Sequence, residues 1–243
     1  MNAAPLIEAR ALTLSAAGRT LLRALSWQAR VGERWCVIGR NAVGKSTLLR
    51  ALAGLQVPQR EGAVDWLGRP QAAWNPADAA AVRAFAPQQP SDRFPISVQR
   101  LLELAVCVPG GPSTGALLHA LDAACLAERD VMQLSGGERQ RVALAQCAAQ
   151  GAPLMLLDEP IAFQDPAHQR LVARWLAGFG GRCLVFSAHD VNWIAGVATH
   201  VLALHGEGCW RAGPVAKMLS ADNLEAVYGC RWRQTEGAWL VVD

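Results

Sequence analysis

Gly39-Arg40-Asn41-Ala42-Val43-Gly44-Lys45-Ser46 has the spacing G-x-x-x-x-G-K-[ST], and it stands between a short apolar run, Arg34 to Ile38, and a helix-like run, Thr47 to Ala53. Strand, glycine-rich loop and helix in this order make a cradle for phosphate. The glycines let the loop wrap until its backbone N–H groups and the helix N-terminus point at one anion. Lys45 then supplies a point charge to the β and γ phosphates of a nucleotide, and the Ser46 hydroxyl can ligate Mg²⁺. A glycine-rich turn holding a chance lysine would not need the flanking strand and helix, so the phosphate reading is preferred.

Working outward, Leu154 to Leu157 and Cys183 to Phe186 also have the length and composition of buried strands, and each ends at a polar turn. Ligands of open α/β sheets collect at such carboxyl ends. Ile7 to Leu14 alternates only in part, and Val64 to Leu67 sits beside Gly62 and Gly68, which predicts an antiparallel flank with turns. Asn75 before Pro76, Ser97 before Val98, Leu101, Leu102 and Ala105, and Ser135 before Gly136 and Gly137 read as helix starts. The stretch 88–150 is therefore expected to be mostly helical, inserted between strand-bearing parts at 1–87 and 151–243. Pro109 to Gly115 (PGGPSTG) is the clearest loop-like run. The whole predicts an α/β fold with a mainly parallel sheet.

The 243 residues, 52% hydrophobic and 18% charged, suit a globular chain of one or two domains and exclude the disordered and collagen-like classes. A net charge of +3, evenly scattered, gives no nucleic-acid footprint. Seven cysteines without a C-x-x-C pair are expected to be reduced thiols rather than metal ligands. Trp27, Trp35, Trp66, Trp175, Trp193 and Trp239 lie in apolar patterns and are expected to fill the core. Uncharged stretches such as Leu104 to Leu121 and Val142 to Leu157 are too broken to span a bilayer. The start, MNAAPLIEAR, lacks the pattern of a signal peptide, which predicts a cytoplasmic protein.

Two further constellations carry chemistry. Asp158 and Glu159 end the run Leu154 to Leu157, where an acid beside a phosphate loop can hold Mg²⁺ and a second can polarise an attacking water. Leu134-Ser135-Gly136-Gly137-Glu138 places a hydroxyl and two glycines at a helix start, a second anion cradle. One nucleotide has no use for two cradles in one small domain unless they belong to different subunits.

With these motifs in this order the chain resembles the ATP-binding cassette (ABC) ATPases, whose signature is LSGGQ. The resemblance covers nearly the whole chain. It implies a P-loop NTPase of ABC-ATPase type, with a parallel core, an antiparallel β flank and an inserted helical subdomain. Phe85-Ala86-Pro87-Gln88 looks like the family's Q-loop, which makes Gln88 a residue reaching Mg²⁺ and the attacking water. Ala162-Phe163-Gln164-Asp165 stands where the family has Ser-Ala-Leu-Asp, and Ser187-Ala188-His189-Asp190 matches its switch histidine. The implied nucleotide-binding set is Gly39, Arg40, Asn41, Ala42, Val43, Gly44, Lys45, Ser46, Thr47, Gln88, Ser135, Gly136, Gly137, Asp165 and His189. Glu159, His189 and Lys45 are the implied catalytic group, and Ser46, Gln88 and Asp158 the implied Mg²⁺ ligands. Two positions depart from the family pattern. Ala16 stands where an aromatic usually stacks on adenine, a place that Arg19 could cover, and Ala42 takes a loop position where an added Cβ is costly if φ is positive.

The resemblance further implies a head-to-tail homodimer that sandwiches two ATP molecules. Separate transmembrane permease subunits would be contacted through the region after Gln88, at the cytoplasmic face of the inner membrane. The tail, with Gly213-Pro214-Val215, Asn223-Leu224 and Val227-Tyr228-Gly229, resembles ATPases of metal-chelate importers for siderophores, haem and vitamin B12, and the tryptophan and alanine usage with the Glu159-Pro160-Ile161-Ala162 stretch looks most like the cobalamin type. Such systems carry a periplasmic substrate-binding protein. Two alternatives are a soluble ATPase serving a non-membrane partner, such as an iron–sulfur assembly scaffold, and a non-hydrolysing regulatory subunit. Intact Lys45, Asp158, Glu159 and His189 oppose the second. Repair and chromosome ATPases would need a long coiled coil before the signature, and the sequence shows none.

Overall fold

The computed structural model describes residues 4–92 and 94–242. Met1, Asn2 and Ala3, at the head of the stretch read for a signal peptide, lie outside the described residues.

In chain order, a strand pair β1 (Ile7–Ala16) and β2 (Arg19–Ala29) leads to β3 (Arg34–Ile38), α1 (Lys45–Leu52), β4 (Gln59–Trp66) and β5 (Arg69–Pro70). Then come α2 (Pro76–Val82), β6 (Arg83–Ala86), α3 (Val98–Ala105), α4 (Thr114–Ala120), α5 (Gly136–Ala149), β7 (Leu154–Leu157) and α6 (Pro166–Ala177). The chain ends with β8 (Cys183–Ser187), α7 (Val191–Val197), β9 (His200–Gly206), β10 (Cys209–Pro214), α8 (Val215–Met218), α9 (Ala221–Tyr228) and the hairpin β11 (Arg231–Thr235) and β12 (Ala238–Val242).

The main sheet has the order β10-β9-β3-β8-β7-β6, parallel throughout except for the β9–β10 pair. Its central strands β3, β8 and β7 are apolar on both faces because both are covered. Trp35, Val37, Leu154, Leu156, Cys183 and Val185 join one core with α1 and the second sheet, while Cys36, Ile38, Met155, Leu157, Leu184 and Phe186 join the other with α5, α6 and α7. The second sheet, β2-β1-β4-β5, is antiparallel, the flank that the turn residues predict.

The broken alternation of β1 has a structural cause. Registers with β2 and β4 shift between Ala9 and Thr13, and Ala11 adopts φ +46. A bulge there turns the later residues to the opposite phase, so Ile7, Ala9, Leu12 and Leu14 all point inward. Across the bulge, Gly62 (φ +81) would bring a Cβ to 2.4 Å from the Ala11 carbonyl oxygen. Gly62→Ala is expected to destabilise the fold by about 2 kcal/mol or more, a left-handed penalty added to a backbone clash. The check is the urea midpoint at constant slope.

Asn75, Ser97 and Ser135 each cap the helix expected of them by accepting from a backbone N–H. Pro109 to Gly115 is not loop throughout: Ser113 Oγ accepts from Ala116 N at 3.2 Å and starts α4 at Thr114. Five of the six tryptophans assigned to the core are buried; Trp175 is half-buried, edge-on to Phe179. All seven cysteines are unpaired. Among the described residues no helix is long and apolar enough to cross a membrane.

Candidate functional site

Parallel register gathers the chemistry at one edge of the main sheet. Ala86 lies beside Leu157, Leu157 beside Phe186, and Phe186 beside Cys36, so the chain leaves β6, β7, β8 and β3 side by side. The next residues on those four strands include Gln88, Asp158 with Glu159, Ser187 with His189, and the loop Gly39–Ser46. A cavity of about 1080 Å³ opens there, lined by Asn41, Ala42, Gly44, Lys45, Ser46, Thr47, Gln88, Glu159 and His189, with Ala16, Ala17, Arg19 and Leu21 at its side, while Asp158 and Ser187 are buried and not part of its lining.

The loop is shaped from behind. Gly39 (φ +153) has no room for a Cβ, which would lie 2.8 Å from the Leu204 carbonyl oxygen and 2.8 Å from Val43 Cγ1. Gly39, Arg40 and Val43 therefore shape the loop without lining the cavity. Ala42 does carry φ +60, the strained conformation its sequence position raised, and it holds the loop in that form without a glycine. Lys45 Nζ donates to the Gly39 and Arg40 carbonyls at 3.0 and 3.2 Å, folded along its own loop. Burial pushes the Lys45 ammonium below its usual pKa, and the carboxylates of Glu159 and Asp158 oppose that shift.

Opposite the loop, Glu159 is held from four directions. Gln88 Nε2 donates to Oε2 at 2.9 Å, and His189 Nε2 lies 2.8 Å from Oε1. Its backbone N–H donates to Ser187 Oγ at 2.9 Å, and its carbonyl accepts from Gln140 Nε2 at 3.3 Å. Glu159 itself sits at φ +49, a conformation that a non-glycine residue keeps only when its surroundings over-determine it. Ser187 Oγ in turn donates to Asp158 Oδ1 at 2.6 Å, orienting that buried carboxylate. Ser187 and Gln140 were not picked out as site residues from sequence. The signal for Ser187 was available, since it is a polar residue closing a wholly apolar strand.

The second cradle lies apart from this cavity. Ser135 and Glu138 form a capping box: Ser135 Oγ accepts from Glu138 N at 3.3 Å, and Glu138 Oε2 accepts from Ser135 N at 2.8 Å. This explains Glu138 at the last signature position, and those bonds hold its carboxyl below the usual carboxylate range. A Cβ on Gly136 would touch the Phe163 ring, and one on Gly137 would meet the Phe163 carbonyl at 2.8 Å, so that segment lies against the glycines. Asp165 caps α6, accepting from Ala167 N and His168 N at 2.9 Å, also outside the cavity.

The family described as ABC transporter matches residues 22–162. The chain is 37% identical to the hemin import ATP-binding protein HmuV of Streptomyces coelicolor over 233 residues, covering 92% of this chain and 83% of that one. It is 36% identical to the protein of the same name from a Ruegeria species, over 93% of this chain and 92% of that one. Its fold matches that of a metal-chelate type ABC transporter in an inward-facing conformation with a TM-score of 0.77, at 24% identity over 98% of this chain and 96% of the other. A phosphate loop, a Glu held between Gln and His and a serine–glycine cradle on one α/β frame thus coincide with matches across most of the chain: it belongs to the ABC transporter family and is one of that family's ATP-binding, ATP-hydrolysing chains.

Proposed function

We propose that this chain powers an importer of metal chelates, taking up ATP between Gly39–Thr47 of one copy and Ser135–Gly137 of another. The observation that carries the hydrolytic reading is the Glu159 carboxylate, fixed by Gln88 and His189 at the mouth of a cavity floored by the phosphate loop. Glu159 accepts a proton from the attacking water, His189 orients Glu159 and reaches the γ-phosphate, and Lys45 neutralises the β and γ phosphates. Asp165 reaches across to the other copy's nucleotide. The site suits Mg²⁺: Ser46, Gln88 and Asp158 offer hard oxygen donors with no sulfur or imidazole among them, and Ser187 already orients Asp158. When bound, Mg²⁺ would neutralise charge on the phosphate oxygens.

In this reading residues 1–87 and 151–243 form the nucleotide-binding core with its β flank, and 88–150 form the helical subdomain of one ATPase domain. The region after Gln88 meets separate transmembrane permease subunits at the cytoplasmic face of the inner membrane, and a periplasmic binding protein delivers the cargo. The relatives named for hemin import favour haem. Vitamin B12 is the second reading, favoured by the tryptophan and alanine usage and the Glu159-Pro160-Ile161-Ala162 stretch. The test is ATP hydrolysis by the chain assembled with its membrane subunits in proteoliposomes, with binding protein loaded with haem or with vitamin B12. Stimulation by one identifies the cargo class; copurification with a soluble scaffold in place of membrane subunits would replace the reading.

Ala16 and Arg19 both line the cavity, so no aromatic ring occupies the adenine side at position 16. ATP and GTP are therefore expected to bind with similar affinity, the triphosphate dominating. Ala16→Tyr should add about 1 kcal/mol for ATP, the scale of an aromatic contact. Parallel titrations at fixed Mg²⁺ check this; strong ATP preference in the parent would mean that Arg19 already covers the base.

A further inference from the structure

Adjacent side chains tie the first turn of α5 to two separate parts of the molecule. Arg139 Nε and Nη2 donate to the two carboxylate oxygens of Asp92 at 2.6 and 2.8 Å, a fork-on-carboxylate pair whose side chains are 11% and 14% exposed. Gln140, fully buried, donates to the Glu159 carbonyl. The Arg139 N–H closes the helical turn on the Ser135 carbonyl at 2.8 Å.

Asp92 lies four residues beyond Gln88, whose amide holds the Glu159 carboxylate. The contacts therefore run in a circuit: Glu159, Gln88, the 88–92 segment, Asp92, Arg139, Gln140 and back to Glu159. A cavity of about 240 Å³ between the 88–92 segment and α5 is bordered by Gln89, Pro90 and Phe163.

Helix stability does not explain Arg139. A cation in the first turn opposes the helix dipole. A largely buried ion pair adds little net stability either, because desolvation offsets the attraction. What a bidentate pair supplies is geometry, since two parallel bonds fix both distance and angle.

We propose that Asp92 and Arg139 are positioning residues, which carry the placement of the 88–92 segment, and with it Gln88 on Glu159, to the Ser135–Gly137 turn. The pair keeps that turn in the geometry that a second copy's nucleotide enters. The proposal rests on the two-copy sandwich given above.

The test measures ATP affinity of the monomer, the urea midpoint and the ATP-driven dimer dissociation constant, all in the Glu159→Gln chain. Asp92→Asn, Arg139→Lys and the apolar double variant Asp92→Leu/Arg139→Met are compared. The single variants should keep monomer ATP affinity within about twofold and weaken dimerisation by roughly tenfold or more. The double variant should recover the urea midpoint, as apolar replacement of a buried pair does, yet dimerise as poorly as the singles. A double variant that regains dimerisation along with its urea midpoint would show a merely structural pair. Singles that dimerise like a dimerising parent would overturn the role of the pair alone. A parent that stays monomeric with ATP would overturn the sandwich, and the pair's role with it.

Discussion

Glu159→Gln is expected to bind ATP as the parent does and to lose turnover by about 10²- to 10⁴-fold, the usual scale of general-base catalysis. That loss corresponds to roughly 3–5 kcal/mol in the barrier. The amide is nearly isosteric and can still hydrogen-bond to Gln88 or His189, whose contacts with Glu159 are 2.9 and 2.8 Å. The strained backbone at Glu159 is held by Ser187 and Gln140 through main-chain atoms, which the substitution leaves alone. Lys45 and its loop are untouched, so nucleotide affinity should survive. Phosphate release and nucleotide titration on the same preparation separate the two quantities. Parental turnover in the variant would remove Glu159 from the role of base.

The second large effect is expected at Ser135. With Glu159→Gln and ATP the chain should shift from monomer to dimer by light scattering, and adding Ser135→Arg should weaken that association on the order of 100-fold. An arginine at the helix start would fill the space meant for the other copy's γ-phosphate, and ~3 kcal/mol is within the range of overpacking. Ser135 is also the cap of α5 and half of its capping box, so Ser135→Arg costs stability of about 1 kcal/mol as well. Ser135→Ala loses the same cap without adding bulk and serves as the control. It should dimerise far better than the arginine variant; equal dimerisation by Ser135→Arg and the parent would sink the sandwich.

Much of this molecule was legible before its fold. The phosphate loop, the acids after Leu157 and the caps at Asn75, Ser97 and Ser135 could be read because each is a local device. A cap joins residues three apart, as Ser135 and Glu138 do. A buried strand is a run of a few apolar residues with a turn at its end. Interruptions were harder to read. The bulge at Ala11 broke the alternation of β1 without any marker in β1 itself; its partner Gly62, three strands on in sequence, is what leaves room for it. The tail hairpin of β11 and β12 also escaped, since its order comes from Asn192, whose side chain pairs with both backbone groups of Trp239 at 3.0 and 2.7 Å.

By itself the sequence determined the α/β class, the strand–loop–helix around Gly39–Ser46 and the place of Asp158 and Glu159 at the end of an apolar strand, because these depend on residue type and on neighbours within a few positions. Only the tertiary structure decided what Glu159 touches. Gln88 is 71 residues from it, Ser187 is 29 residues from Asp158, and Asp92 is 47 residues from Arg139. Those meetings follow from which strands become neighbours and in what register, since a parallel sheet aligns the ends of β3, β6, β7 and β8. A hydrogen bond tolerates an error of only a few tenths of an ångström, and a slip of one residue in a strand reverses every side chain on it. Long-range contacts of that kind are set by the packing of the whole sheet against its two cores, not by any segment that a reader of the chain can isolate.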